Sequence, residues 1–385
     1  MRIGIDARFY GSVGKGLGRY TQKLIEQLER IDSKNQYVIF LRQENFDEYQ
    51  PKNKNFQKVL ANYQWYTLAE QIHLPRLLKK AKLDLVHFPH FNVPLAYRGK
   101  FVITIHDLIL LHFPTRRGST LSPLRYWGKF LAYRWVIWSA LRRAERVITV
   151  SHFTKKDILS HYAIPERKIV VTHEGCGMPE IVQNSPATEK ILHAYGILKP
   201  YILYVGNAYP HKNLERLARA FLLLQKQHSQ LQLVLVGKSD YFYNQLQKLV
   251  ERESIPRVRF AGFVAESDLP AVYQQAEAYV FPSLYEGFGL PPLEAMAEQV
   301  PVVASNHACM REILGGAAEY FDATQEEQIA EAINRVLTDQ PLRAFLIEKG
   351  RQQIKQYDWQ SMAKVTKKIY EAVVSSGVES HGRIN

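Results

Sequence analysis

Short apolar runs alternate with stretches of helical period along most of the chain. Residues 2–5 (RIGI) predict a first strand, followed by a glycine-rich turn and a helix over residues 18–30. Residues 37–41 (YVIFL) predict a second strand, residues 85–88 lie in a third and residues 101–105 (FVITI) in a fourth. Residues 147–150 (VITV) run into Ser151, a good N-cap for a helix beginning near Phe153, and residues 168–172 (KIVVT) close this half. The pattern restarts at residues 201–205 (YILYV), with a helix over residues 213–225 whose apolar positions are Leu214, Leu217, Ala218 and Phe221. Further strands are predicted at residues 231–236, 258–261, 278–281 and 300–304. Apolar runs bounded by glycine, proline or polar residues suit strands buried on both faces. Their alternation with helices implies parallel βαβ units. The weakly patterned residues 175–200 read as a linker, and no short-period repeat or low-complexity tract interrupts the pattern. The expected fold is α/β: two doubly wound, Rossmann-like domains facing each other across a cleft. Ligands of such sheets sit beyond the carboxyl ends of the strands, so chemistry is expected just after strands.

The 385-residue length suits two domains of roughly 150–200 residues each. With 46% hydrophobic and 12% aromatic residues the chain can build sizeable cores. The opening MRIGIDARFY lacks the apolar segment of a signal peptide, and the apolar residues 135–141 (WVIWSAL) are about a third of a membrane span. Cys176 and Cys309 show no metal-ligand spacing and suit a reduced, cytoplasmic setting. The net charge of +13 is unevenly spread. Residues 1–170 hold 29 Lys/Arg against 13 Asp/Glu, a balance of +16, and residues 171–385 hold 21 against 24, a balance of −3. A positive field on one half favours an anionic partner, whether nucleic acid, a phosphorylated substrate or an anionic membrane surface. Residues 121–146 mix Trp, Tyr and Phe with Arg and Lys, and fit either an interfacial surface or a buried helix with snorkelling basic side chains.

The segment FPSLYEGFGLPPLEAMA, residues 281–297, carries the strongest chemistry. It leaves a strand, turns through Gly287 and Gly289 and enters a helix with Pro291 and Pro292 in its first turn, where proline is tolerated. Glycines allow close backbone approach, and a helix start binds anions. Glu286 and Glu294 bracket the turn, and carboxylates accept hydrogen bonds from sugar and ribose hydroxyls. A second motif, residues 206–212 (GNAYPHK), follows the strand YILYV and offers Lys212 as a charge for a diphosphate. A third, residues 11–20 (GSVGKGLGRY), opens a helix without the spacing of a Walker loop or a dinucleotide fingerprint. A fourth places His106 at the end of an apolar strand, and His87 and His90, which follow another, are candidates to line the acceptor side.

The Glu-x7-Glu pattern within EGFGLPPLE resembles the signature of retaining glycosyltransferases with the two-domain B-type fold, in particular glycosyltransferase family four. GIDAR, GKGLGRY, THEG, YVGN…HKNL, VRFAGFV and YDWQSMA are similar to its bacterial mannosyltransferase branch, so the likeness spans nearly the whole chain. The resemblance implies an N-terminal acceptor domain over residues 1–180, a C-terminal donor domain over residues 195–360, and a last helix, about 360–385, packing back on the first domain. It implies Glu286 on the hydroxyls of the transferred sugar, Glu294 on the ribose, and the backbone of Phe288, Gly289 and Leu290 toward sugar and diphosphate. Gly16, Asn207, Phe263, Val264, Ser283 and Gly287 complete the implied donor site, with His106, Glu286 and Lys212 as the catalytic set. Where many relatives carry arginines this chain has Asn207 and His211, leaving Lys212 as the fixed charge of its motif and His211 as an auxiliary.

The implied reaction moves a hexosyl group, with retention, from a nucleoside diphosphate sugar to a saccharide or an anionic lipid-linked saccharide. GDP-mannose is the first candidate donor. No carboxylate is placed as a covalent nucleophile, so a front-face route fits, with the leaving phosphate accepting the acceptor's proton. No metal-binding DxD motif stands in a convincing position, and neither metal nor other cofactor is expected. Two other readings are a basic nucleic-acid-binding protein and a B-fold sugar phosphorylase or epimerase. Against the first, the chain has no recognition helix, RNA-binding signature or zinc site, and no nucleic-acid partner is expected. The expected location is cytoplasmic, with peripheral contact with an anionic membrane through the basic half.

Overall fold

The structure, a computed structural model, describes residues 1–114, 123–177 and 186–381, with backbone alone for residues 12, 13, 15, 123–126, 186, 187 and 376–381. The described chain falls into two units. Residues 1–108, 123–175 and 358–381 form the first, and residues 109–114, 176–177 and 186–357 the second.

The first unit is a seven-stranded parallel sheet of β1 (Arg2–Asp6), β2 (Gln36–Leu41), β3 (Phe56–Leu60), β4 (Leu85–Phe88), β5 (Phe101–Ile105), β6 (Arg146–Thr149) and β7 (Ile169–Val171). Their order is β3-β2-β1-β4-β5-β6-β7. The central strands β4 and β5 are buried at every position, as near-continuous apolar runs require when helices cover both faces. Edge strand β3 (FQKVL) escapes the hydrophobic pattern because Gln57 and Lys58 break its run and only Phe56 is fully buried. Ser151 caps the following helix as its sequence predicts, its Oγ accepting from the Thr154 N–H at 3.0 Å. The first helix, Lys15–Ile31, starts earlier than predicted and directly follows a 3-10 turn at Gly11–Gly14. That tight entry needs glycine: a Cβ on Gly14 would lie 2.1 Å from the Phe9 carbonyl oxygen, and one on Gly18 2.1 Å from that of Gly11.

The last helix, Trp359–His381, packs on helix Lys15–Ile31 within the first unit. Its Tyr370 hydroxyl meets His87 Nδ1 at 2.6 Å, and His87 Nε2 lies 2.8 Å from Thr104 Oγ1. His87 therefore ties β4, β5 and the final helix together in the core, and the acceptor side suggested for it is corrected. Burial lowers its pKa to about 3, so it is neutral.

The second unit holds β8 (Tyr201–Val205), β9 (Gln232–Val236), β10 (Val258–Gly262), β11 (Ala278–Phe281), β12 (Val302–Ser305) and β13 (Ala318–Phe321), in the order β10-β9-β8-β11-β12-β13. All pairings are parallel. Two boundaries differ from expectation. The stretch read as linker contains a helix, Pro186–Ala194, anchored by buried Leu192 and Ile197, while Tyr195 just beyond it donates to Asp268 at 2.7 Å. It is too short for its apolar spacing to stand out, and residues 178–185 of that stretch lie outside the described residues. Residues 109–114, expected in the first domain, go with the second because the His112 ring stacks on Tyr285 at 4.6 Å.

Just after β1, Arg8 is fully buried. Its Nε and Nη2 donate to Asp6 at 2.7 Å each, and Nη2 also meets Glu70 Oε1 at 2.7 Å. Burial opposes its charge, but the two carboxylates more than offset this and hold its pKa above the ordinary value. Asn45 donates to the carbonyls of Ala7, Arg8 and Tyr10, so this loop is fixed from both sides. Arg8→Met would leave two buried carboxylates without their cation, at a cost of about 3–5 kcal/mol. A lower unfolding midpoint in urea is the expected outcome, and an unchanged midpoint would contradict the assigned role.

Candidate functional site

In each sheet the strand order reverses at one place, between β1 and β4 in the first unit and between β8 and β11 in the second. Ligands of doubly wound sheets occupy the crevice at such a reversal, beyond the carboxyl ends of the strands. The segments after β8 and β11 are the GNAYPHK and PSLYEGFG motifs. Adjacency of the two strands brings together residues that lie far apart in the chain.

The joining contact is an ion pair. Lys212 Nζ lies 2.5 Å from Glu286 Oε1, and both side chains are nearly buried, 14% and 9% exposed. Lys212 also sits 5.6 Å from the centroid of the Phe281 ring. Backbone and side-chain bonds brace the pair. The Leu284 N–H donates to the His211 carbonyl at 2.7 Å, and Asn213 Nδ2 donates to the carbonyls of Pro282 at 3.1 Å and Ala323 at 2.7 Å. Asn213 caps helix Leu214–Leu224 in the left-handed conformation at φ 61°, a backbone role its side-chain type tolerates. Lysine has three donors and an ionised carboxylate about four acceptor positions, so the pair leaves each residue able to bind a ligand.

Beyond Glu286 the chain turns through Gly289 at φ 98° into helix Leu290–Ala297. A Cβ there would come within 2.8 Å of Met310 Cε and face an unfavourable backbone angle as well. Pro291 and Pro292 carry no N–H, so the anion-binding donors of this helix start reduce to Phe288, Gly289 and Leu290 together with the helix dipole. Glu294, one turn into the helix, accepts a hydrogen bond from the Tyr273 hydroxyl at 3.2 Å. Ser283 is fully buried and its Oγ has no partner among the described residues.

On the other arm, Asn207 Oδ1 accepts from the Tyr209 N–H at 3.3 Å and its carbonyl from the Tyr204 hydroxyl at 2.8 Å, which shapes the loop after β8. Phe263 and Val264 follow edge strand β10, Phe263 being 71% exposed and Val264 buried. His211 does not supply an auxiliary charge. Burial, then the neighbouring Lys212, lowers its pKa to about 4 against a raising effect of Glu286. The positive charge in this motif is that of Lys212.

In the first unit, His106 follows β5. Its Nδ1 lies 3.1 Å from Glu174 Oε1 and its Nε2 3.0 Å from the Pro89 carbonyl oxygen, and the Tyr20 ring meets it edge-on at 4.7 Å. The imidazole is thereby held in one orientation at the carboxyl end of the sheet. His90, next to the β4 terminus, is half-buried with its ring against Phe9 and Phe91, and burial lowers its pKa to about 3. Its Nδ1 is enclosed and has no hydrogen-bond partner among the described residues. Gly16, in the first turn of helix Lys15–Ile31, is exposed, and a Cβ there would meet no atom within 4 Å, so packing does not demand glycine at this position.

Four contributors had escaped the sequence reading: Glu174, Tyr20, Asn213 and Tyr273. Asn213 had a local signal, an Asn directly before a helical run. Glu174, Tyr20 and Tyr273 reach their partners only through the fold.

Residues 188–353 match the family described as Glycosyl transferases group 1, and residues 14–176 that described as Glycosyltransferase Family 4. The O-antigen chain mannosyltransferase B of Escherichia coli is 30% identical over 373 residues, spanning 92% of this chain and 96% of that protein. The O-antigen chain mannosyltransferase RfbU of Salmonella typhimurium is 28% identical over 272 residues, 71% of this chain and 70% of that protein. Among solved structures, sucrose-phosphate synthase of Thermosynechococcus elongatus superposes with a TM-score of 0.75 at 19% identity, covering 98% of this chain and all of that one. WaaG, a glycosyltransferase involved in lipopolysaccharide biosynthesis, gives 0.72 at 16% identity over 96% of this chain and 99% of its own. These structures carry the two-domain B-type fold, and the likeness extends over both units.

A pH dependence follows from the buried histidines. A group whose pKa is lower folded than unfolded takes up protons on unfolding, so stability is full above about pH 6.5 and falls as pH drops toward about 4. His211→Gln is expected to flatten the fall in melting temperature between about pH 7 and pH 4.5 relative to the wild type. An identical pH profile in the two proteins would contradict a neutral, buried His211.

Proposed function

We propose, for a chain that belongs to the group 1 and family four glycosyltransferases, that it moves a hexose from a nucleoside diphosphate sugar to a saccharide or lipid-linked saccharide, with retention, in the assembly of a cell-surface polysaccharide or lipopolysaccharide. The carrying observation is the Lys212–Glu286 pair at the strand-order reversal of the second unit, beside a glycine turn and a helix start. Lys212 and the N–H groups of Phe288, Gly289 and Leu290 stabilise the negative charge that builds on the departing diphosphate. Glu286 uses its remaining acceptor positions on the sugar hydroxyls, and Lys212 fixes its orientation. Glu294, which accepts a hydrogen bond from Tyr273, takes the ribose hydroxyls. Gly16, Asn207, Phe263, Val264, Ser283 and Gly287 belong to the same donor reading. His106, held by Glu174 and Pro89, completes the catalytic set with Glu286 and Lys212 in this reading.

Mannose and GDP-mannose are the first donor candidates, because both relatives named above are O-antigen mannosyltransferases. The leaving phosphate accepts the acceptor's proton in a front-face displacement, so the new glycosidic bond forms on the side from which the diphosphate departs. Lys212 supplies the charge that a metal would otherwise provide, and the reaction is assigned to the cytoplasm without a metal cofactor.

A thermal-shift panel of GDP- and UDP-sugars with EDTA present is expected to raise the melting temperature for at least one donor, GDP-mannose first. No shift with any nucleotide sugar would overturn the donor reading. With the donor found, Glu286→Ala should lower kcat about 100-fold or more. Glu294→Ala should mainly raise the donor KM, about tenfold for a lost charge-assisted hydrogen bond. Wild-type turnover in the first, or an unchanged donor KM in the second, would remove that residue from its role.

A further inference from the structure

Helix Pro123–Arg143 of the first unit buries Ile137, Ala140 and Leu141 and turns a different face outward. On the outward face Trp127, Leu131, Trp135 and Trp138 are 49%, 62%, 54% and 41% exposed. The first three recur every four residues and the last lies three further on, the spacing of a single stripe along a helix. A monomer seldom exposes so much aromatic surface in one line, and such a patch marks an interaction site.

The charge around the stripe selects the partner. Residues 127–144 hold four Lys/Arg and no Asp/Glu. Arg134 and Arg142 are exposed beside the stripe, and the Arg142 guanidinium sits 5.0 Å from the centroid of the Trp138 ring. The apolar surface also has a neighbour. Tyr133 of the same helix meets Phe91 edge-on at 4.9 Å, Phe91 lies 6.4 Å from Tyr66, and Leu68 and Ile72 just beyond are exposed.

We propose that this stripe docks the first unit on an anionic lipid surface, with the tryptophan rings at headgroup level and Arg134 and Arg142 on lipid phosphates. Tryptophan prefers the membrane–water boundary because its ring is apolar and its N–H polar. Basic residues near an anionic leaflet each strengthen binding. No described helix is long and apolar enough to cross a membrane, so the contact is peripheral. A second copy of the chain is the weaker occupant, since a symmetric contact would press two like-charged surfaces together. The docking stands independently of the donor reading, which concerns the other unit.

The test uses the full chain with vesicles of phosphatidylcholine alone or with about a third phosphatidylglycerol. Co-sedimentation with the anionic vesicles, a blue shift of tryptophan emission and weakening at high salt are the expected results. Leu131→Ser with Trp135→Ser should lower the vesicle partition coefficient about tenfold. Arg134→Gln with Arg142→Gln should lower it and flatten its salt dependence. All these side chains are exposed, so melting temperatures and nucleotide-sugar shifts should match the wild type. A chain that stays in the supernatant with anionic vesicles overturns the proposal, as does binding unchanged in both double variants. A dimer that the serine variants dissolve, without vesicle binding, would reassign the stripe to contact between copies. Binding to an oligonucleotide but not to vesicles would reassign it to nucleic acid.

Discussion

Lys212 and Glu286 are 74 residues apart in the chain and 2.5 Å apart in space. Their meeting depends on one topological choice, the placement of β11 against β8 after β9 and β10 have been laid down on the opposite side. That reversal leaves the ends of two neighbouring strands facing the same crevice with their connections leading to opposite faces of the sheet. A nearly buried ion pair across it is costly unless both partners are held, because each charge has lost most of its water. The holding groups are visible: the Leu284 to His211 backbone bond and the Asn213 bridge to Pro282 and Ala323. The glycine turn at Gly289 and the helix behind it follow directly from the same segment.

Much of this frame was legible from the residues. Strands such as YILYV and AYVF are short apolar runs that no solvent-exposed element would tolerate, and they fall where the pattern predicts. The elements that escaped are those with a wet face. Edge strands FQKVL and AEYF carry charges among their apolar residues, and helix Pro186–Ala194 spans too few turns to display a period. Motifs singled out Glu286, Lys212 and Glu294, but not the contact between Lys212 and Glu286 or that between Tyr273 and Glu294. Tyr273 and Glu174 reach the site residues through tertiary contacts alone, and His211 looked like a second charge only because burial cannot be read from a PHKN string.

The first unit shows the same logic with different chemistry. Arg8, at the end of β1, is enclosed by Asp6 and Glu70 and works as a structural cation inside the sheet's crevice. His106, two strands away from β1, is held by Glu174, Pro89 and Tyr20 and remains partly accessible. The surplus of positive charge, by contrast, lies largely on outward surfaces, and residues 127–144 of this unit hold four Lys/Arg and no Asp/Glu. Buried charge organises the fold of this unit, and exposed charge sets the field at its surface.

In the proposed function, the crevice between β8 and β11 holds the activated sugar. Amide hydrogen exchange with and without nucleoside diphosphate tests it most directly, because protection reports which backbone N–H groups the ligand covers. Slower exchange confined to residues 206–212 and 283–294 is the predicted result. Binding by calorimetry with protection elsewhere, and none in these two segments, would contradict it.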